Sequence, residues 1–493
     1  MKIKRKKIVY SVLCALLISG CRSGTSDTQI HTLNSEESSG VPNIEAPNNE
    51  VETNTAVVFN SVIVASSDLM ADSSKEGIFK PASSVGMFSL TAALKQAQEY
   101  SLRTVISRAK VDEAELRIDE AKAGYYPKLQ AMVKTADWLS DRSAKVARSF
   151  DEYSQMQLTL QYNLMDFGRT SHAVGSAHEI HRSALFSSDS EINSVSFDTT
   201  KAYLDVRRYT LLLAAAKDYV TVTSELVDTL KIRVAGGGSP ESELIRGQLA
   251  LTNAKNRQKT IDLQLTKAKQ KLRSLLGQEI SIEMVELADI PANIDFNTMI
   301  ARVRLENPNI KARLAELNGA KEDVSAARSG RYPSVDVVGG YKRPFQHPEN
   351  LDGNYLGGNV ALQVSVPVLD GGINSSRIGQ ALARLRMAEA SYGQLQRDVS
   401  EMAFNLSNDA LNAKDLWRIQ GQAKMDASRT KNLYLDEFRL GTRSLNDLIS
   451  VQTDFFNASV GRVTSQYDYY LSVLGLYLLS GQVDNGITML KLR

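Results

Sequence analysis

The chain has 493 residues, so its length alone would allow about three ordinary domains. Only 7% of the residues are aromatic, and residues 128–239 and 368–493 contain no proline, which is typical of extended helices and argues against several compact globules. The net charge of +2 indicates no polyanion-binding surface, so nucleic acid is not an expected partner.

Residues 1–20 are predicted to be a lipoprotein signal peptide. Five of the first seven residues are basic, and the apolar run at 8–18 is shorter than the roughly 20 residues that span a bilayer. The small residues Ser19 and Gly20 precede Cys21, an order that resembles the lipobox of bacterial lipoproteins and implies cleavage before Cys21 and its acylation. An ordinary signal peptide with a chance cysteine is the alternative. Cys14 would leave with the signal, so no disulfide is expected in the mature chain.

Residues 21–88 are predicted to form a flexible tether. They are rich in serine, asparagine, glutamate and threonine and show little hydrophobic periodicity. An apolar patch at 56–65 is compatible with one strand or with packing on the body of the protein. Arg22 stands where an aspartate would resemble an inner-membrane retention signal, so sorting to the outer membrane is favoured.

The remainder of the chain contains a duplicated unit. Gly441 lies 204 residues after Gly237, and Asp447 follows Glu243 at the same distance. Such self-similarity indicates a repeated structural element. We therefore expect a first repeat at 89–280, a connection at 281–297, a second repeat at 298–481 and a short C-terminal tail at 482–493.

Each repeat is predicted to contain two amphipathic strands after an opening helix that ends at a Tyr-Pro break. The predicted strands are 127–138, 153–165, 333–343 and 355–367. One face is apolar and the other polar but uncharged, which matches a transmembrane barrel wall. A soluble antiparallel sheet has the same alternation, but the lipid signal favours the membrane. Four strands per chain cannot close a barrel, so several chains would have to contribute strands, and three would give twelve.

Long helical hairpins should follow the strands. Asp166 and Asp370 are expected to cap the next helix, and the glycines after them permit a sharp turn. The helical pattern from 169 to 235, like that from 373 to 440, corresponds to roughly 100 Å, enough for a spacer across a periplasm. Glycine-containing turns near 236–240 and 440–444 should reverse the chain into return helices that pack as coiled coils.

These features together resemble the TolC-like outer-membrane efflux and secretion proteins. The resemblance rests on the duplicated units, the Tyr-Pro breaks, Asp-Phe-Gly-Arg at 166–169 and Leu-Gly-Thr-Arg-Ser-Leu-Asn-Asp-Leu at 440–448. It implies a mainly α fold with a membrane β-barrel: a homotrimer whose twelve-stranded outer-membrane barrel continues into a long α-helical periplasmic tunnel. The implied partners are a periplasmic adaptor (membrane fusion) protein and an inner-membrane pump of the RND or ABC type.

The resemblance also implies roles for residues at the helix tips. The implied gate residues are Arg443, Asp447 and Glu243. The implied adaptor contacts are Gly237, Leu440, Gly441 and Thr442. Phe438 and Ser450 depart from an expected tyrosine and an expected acid, so the closed gate is expected to hold fewer charged contacts. As an alternative, Arg443 and Asp447 form only a surface pair four residues apart.

No catalytic pattern is present, so an enzyme and a cofactor are not expected. His172, His178 and His181 share one predicted helix but lack the additional ligands of a metal site. Two functions remain: a passive, tip-gated exit duct of a tripartite efflux or type I secretion system, or a structural envelope-spanning coiled-coil lipoprotein or adhesin. The lipid signal resembles drug-efflux members and the tip motifs resemble secretion members, so the cargo stays open.

Overall fold

The computed structural model describes residues 87–134, 155–278, 281–282, 290, 294–344 and 357–490. Cys21, the signal peptide and nearly all of the predicted tether lie outside these residues. The described part is mainly α-helical, which confirms the predicted predominance of helix. Among the described residues, no helix is both long and apolar enough to cross a bilayer.

The first repeat runs from a two-residue strand to a long helical hairpin. Its elements are β1 (Met87–Phe88), α1 (Leu90–Tyr100), α2 (Leu102–Lys122), β2 (Lys128–Lys134), β3 (Gln155–Met165), α3 (Arg169–Ala235) and α4 (Glu241–Leu276). A short 3-10 turn at Ala123–Tyr125 leads from α2 into the first Tyr-Pro break.

The second repeat has the same order and adds a terminal helix. Its elements are β4 (Ser281–Ile282), α5 (Phe296–Glu306), α6 (Pro308–Ser329), β5 (Ser334–Pro344), β6 (Gly357–Ser365), α7 (Ile373–Arg439), α8 (Leu445–Leu479) and α9 (Val483–Met489). Both α3 and α7 contain 67 residues, which corresponds to roughly 100 Å of helix.

The opening helix of each repeat, predicted as one element, is broken in two. Ser101 adopts an extended conformation between α1 and α2. Asn307 separates α5 from α6, and its side chain accepts a hydrogen bond from the Ile310 amide at 2.9 Å. Pro308 explains the second break, because proline disfavours helical geometry at the residue before it and suits the first position of a new helix.

Residues outside the two predicted repeats also have defined positions. In the connection, β4 pairs in parallel with β1, so that Phe88 faces Ile282 in register. In the predicted tail, Val483, Ile487 and Leu490 are buried in the main hydrophobic core. The tail is therefore largely the helix α9, packed on the body through one apolar face.

The four longer strands form one antiparallel sheet in the order β2-β3-β5-β6. The central pairing joins the repeats, because β3 belongs to the first and β5 to the second. Leu160 and Val360 flank Gly339 on one face, and both would contact a Cβ atom placed there at 3.4–3.5 Å. On the other face Asn163 donates to the Asp336 carboxylate at 2.8 Å. The sheet thus has an apolar and a polar face.

The helices form two antiparallel hairpins, α3 with α4 and α7 with α8, and α8 also packs against α3. Their shared core lies between the sheet and the tips. Tyr467, Tyr469 and Tyr470 of α8 are almost fully buried there, together with Leu204 of α3. Burial raises the pKa of both Tyr467 and Tyr469 to about 12. A second apolar cluster, around Leu230 and Phe438, lies at the tips.

Candidate functional site

Both helical hairpins reverse direction through the same local structure. Gly237, at φ 71°, and Gly441, at φ 78°, adopt the left-handed conformation that glycine accepts without strain. At the first turn the Gly238 amide donates to the Arg233 carbonyl at 2.8 Å, and at the second the Thr442 amide donates to the Glu437 carbonyl at 3.0 Å. These are Schellman caps. The shared geometry explains why the glycines recur in both repeats.

The return helices begin differently. Ser444 caps α8 by accepting a hydrogen bond from the Asp447 amide at 3.2 Å. Pro240 precedes α4 and offers no side-chain cap, while Glu241 and Glu243 lie in the first turn of that helix. Carboxylates in a first turn are stabilised by the helix dipole. The local geometry of the two helix starts is therefore sufficient to explain the positions of Asp447 and Glu243.

Arg443 is bound to its own hairpin. Its Nε atom donates to Glu437 Oε2 at 2.8 Å, and its Nη1 atom lies 3.8 Å from Asp447 Oδ2. The guanidinium also lies over the Tyr434 ring, 4.1 Å from the ring centroid. The hydrogen bond to Glu437 is the largest cause of a raised pKa at Arg443, followed among the favourable effects by its charge. The arginine thus clamps the turn between α7 and α8.

Glu437 is a residue that the sequence analysis missed. It is six positions before Arg443, on the other side of the turn, so helix spacing alone does not pair the two. The predicted pair of Arg443 with Asp447 is present but longer. Among the described residues, the Glu243 side chain makes no ion pair or hydrogen bond, so the structure does not join the three implied gate residues within one chain.

Arg233 links the two tips and was also missed. Its Nη2 atom donates to the Phe438 carbonyl at 3.0 Å and lies 3.4 Å from the Arg439 carbonyl, at the end of α7. The guanidinium lies 4.5 Å from the centroid of the Phe438 ring. The Phe438 carbonyl also accepts the Gly441 amide at 3.1 Å, so Arg233 adds a donor at this helix end, where the helix dipole favours a positive charge.

Phe438 is the apolar centre of this contact. It is 4% exposed and packs with Leu230 of the first hairpin and with Leu445, Leu448 and Val451 of the second. The resemblance implies a tyrosine at this position, so a polar contact is expected to be lost there. In the structure the Arg233 guanidinium lies near the Phe438 ring, and apolar side chains surround the ring. A basic residue in the last turn of α3 was the available sequence signal for Arg233.

The turns between strands and helices are structural. Asp166 accepts the Thr170 amide at 2.8 Å and the Gly168 amide at 3.1 Å, and Asp370 accepts the Asn374 and Gly372 amides at 2.9 and 3.0 Å. Both aspartates therefore cap the long helices that follow, as was expected of them.

The three histidines do not converge. His172 Nδ1 lies 2.7 Å from Glu322 Oε2 of α6, so it joins α3 to α6 near the sheet. Among the described residues there is no group of three or more His, Cys, Asp or Glu side chains placed to hold a metal ion.

Three comparisons with known proteins bear on this architecture. The model of the family described as "Outer membrane efflux protein" matches residues 93–278 and 299–482. The outer membrane protein TolC of Vibrio cholerae is 24% identical over 290 residues, which cover 56% of this chain and 65% of that protein. The proteases secretion protein PrtF of Dickeya chrysanthemi is 22% identical and is matched over 43% of this chain and 48% of its own.

The fold has a solved counterpart. The outer membrane channel MtrE of Neisseria gonorrhoeae, in its open state, superposes with a TM-score of 0.67 at 16% identity, covering 80% of this chain and 89% of that one. At this identity the likeness concerns the fold. The chain spans less than two thirds of the length of the two relatives above.

Proposed function

Because the chain belongs to the outer membrane efflux protein family, we propose that it is an outer-membrane exit duct that passively conducts substrates delivered by an inner-membrane pump and a periplasmic adaptor. The observation that carries this proposal is the continuity of an amphipathic sheet with two helical hairpins. One chain presents an apolar strand face suited to lipid and, beyond it, helices roughly 100 Å long that suit a periplasmic tunnel.

The proposed assembly is a homotrimer. A four-stranded sheet with β2 and β6 as its outer strands leaves backbone donors and acceptors without partners, which is not tolerated in lipid. Three copies would close a twelve-stranded barrel by pairing β6 of one chain with β2 of the next. The same rotation would place six hairpins around one axis, with all the tips at one end.

We place the gate of this duct at the tips. Arg443 holds the turn of the second hairpin, and Arg233 holds the second hairpin against the first. Three copies of Asp447 and Glu243 near an axis would create a negative ring, at which cations concentrate and anions are repelled. The glycine turns and the exposed Leu440 and Thr442 are the proposed contacts of the adaptor.

The proposed cargo and anchor follow from the relatives and the leader. One matched relative is named for the secretion of proteases, which supports type I secretion with an ABC pump. The alternative cargo for the same duct is drugs, delivered by an RND pump. Cys21 is proposed to carry the lipid. The competing function, a structural spanning lipoprotein, is not favoured by a family of channel and export proteins.

Single-channel recording in planar bilayers tests the duct and its gate together. We expect small currents from the wild-type protein and larger currents from Asp447→Ala and Arg443→Ala. Lys231→Ala is the matched control, because Lys231 lies near the first tip and, among the described residues, pairs only with the exposed Asp228. Larger currents in the control as well would reject the specific gate residues, and silence from all inserted variants would reject the duct.

A further inference from the structure

We propose that a cavity between the two hairpins, next to the tips, binds a small uncharged aromatic carboxamide. The cavity has a volume of about 270 Å³. Helices of both hairpins line it: α3 and α4 from the first, α7 and α8 from the second. A ligand in this place would therefore contact both hairpins at once.

The body of the ligand is set by an apolar lining. Leu226 of α3 faces the cavity, as do Leu435, Phe438 and Leu448 from the second hairpin. One water needs only about 10–15 Å³ of such space, so the cavity is large enough for a small organic molecule. A space of that size with apolar walls favours a flat bicyclic ring over a chain of water molecules.

The polar end of the ligand is set by Gln452. This residue of α8 is 6% exposed and lines the cavity, and within the described part of the chain its side-chain amide forms no hydrogen bond. Both groups of this amide are therefore open to a ligand in the cavity, and its carbonyl and its NH₂ group need opposite partners. A carboxylate could satisfy only the NH₂ group and an ammonium only the carbonyl, whereas a carboxamide satisfies both.

The charges around the cavity favour a neutral ligand. Glu225 contributes a negative charge to the lining, and Lys431 and Arg439 contribute positive charges. Lys431 Nζ lies 4.3 Å from the centroid of the Phe455 ring, and Arg439 is paired with Asp436 at 3.5 Å. Both cations are thus partly engaged, and neither sign of ligand charge gains a clear advantage.

The experiment compares two probes of nearly identical shape. 2-Naphthamide donates and accepts, whereas 2-acetonaphthone carries a methyl group in place of the NH₂ group and only accepts. Binding is measured by saturation-transfer NMR and equilibrium dialysis on the purified full chain in detergent, with protein-free micelles as reference. We expect wild-type protein to bind 2-naphthamide about tenfold more tightly, the effect of one net hydrogen bond.

Three variants locate the effect. Gln452→Leu should lose the tenfold preference while retaining the shape of the cavity, and Ala250→Leu, which fills part of the cavity, should weaken binding of both probes. Gln248→Leu is the matched control, since Gln248 occupies the same repeat position on α4 but is exposed. It should behave like the wild type.

Equal affinity of the two probes for wild-type protein would overturn the proposal, as would a preference that survives in Gln452→Leu. So would binding no greater than that of protein-free micelles. Each readout is taken without ion flow, so the result does not depend on whether the protein conducts.

Discussion

Replacing Arg233 with methionine should loosen the contact between the two helical tips without unfolding either hairpin. Methionine keeps an apolar stem against Phe438 but removes the guanidinium. The variant therefore loses the 3.0 Å hydrogen bond to the Phe438 carbonyl and the cation that lies 4.5 Å from the ring centroid. The cap within the first turn is retained, because the Arg233 carbonyl still accepts from Gly238.

The size of the effect follows from those two contacts. A hydrogen bond with a charged donor contributes about 1.5–3 kcal/mol, and an exposed cation-π contact about 0.5–1 kcal/mol. Arg233 is partly exposed, so the lower ends apply and the expected loss is about 2 kcal/mol. That value corresponds to roughly a 30-fold change in the ratio of joined to separated tips.

Two assays measure this change independently. Hydrogen exchange should show faster exchange of the amides at 436–440, the last turn of α7 and its C-cap, by up to the same factor, because their opening is local. Single-channel recording should show a higher open probability. Lys231→Met is the control. Lys231 lies two residues before Arg233 on α3, and its ion pair with Asp228 is within that one helix.

A double variant distinguishes the contact of Arg233 with the Phe438 ring from its hydrogen bonds to the backbone carbonyls. If Phe438→Leu is combined with Arg233→Met, the two losses should be less than additive, because the same guanidinium contacts the ring and the backbone of this residue. Unchanged exchange in the last turn of α7 together with unchanged channel opening would refute the idea that Arg233 joins the tips.

Three further predictions concern other parts of the chain. Gly441→Ala should destabilise the protein by about 1–2 kcal/mol in thermal unfolding, because the φ angle of Gly441 is 78°. Gly393→Ala should instead stabilise the protein by about 0.5–1 kcal/mol, because Gly393 lies in a helix interior with open space around it. Burial raises the pKa of Asp205 and Asp468 despite the neighbouring Arg208, so the folded state binds more protons than the unfolded state. The free energy of unfolding should therefore fall as pH rises from the ordinary carboxyl pKa of 3.8 through the folded values. Replacing both aspartates with asparagine should flatten that dependence on pH. Cys21→Ser should abolish acylation, seen as a lost mass increment, yet leave the detergent-extracted protein trimeric by light scattering; a monomer would contradict the shared barrel.

The order and length of the helices could be predicted from sequence because the signals are local. Proline and glycine mark both Tyr-Pro breaks and both tips, and the pattern between them is helical without interruption, which gives α3 the predicted bounds of Arg169–Ala235. The family resemblance drawn from these motifs is confirmed by the matched model. The break at Ser101 has no such marker, since serine is only a moderately poor helix former.

The contacts at the tips could not be predicted in the same way. The pairing of Arg443 with Glu437 crosses a turn, and the contact of Arg233 with Phe438 joins residues 205 positions apart. Neither separation corresponds to a helical repeat, so both depend on how the hairpins pack. The amphipathic alternation predicted the strands, but not that β3 would lie beside β5 and join the two repeats.

That central strand pairing has a consequence for the way the chain must be made. Asn163 of β3 meets Asp336 of β5, and 173 positions separate them. β3 is synthesised before β5, and until β5 follows, one edge of β3 has no strand beside it and its apolar face is uncovered. Pairing over such a separation is slow, and exposed strands of this kind aggregate while they wait. We expect folding of this chain to depend on a chaperone that covers β2 and β3 until the second repeat is present.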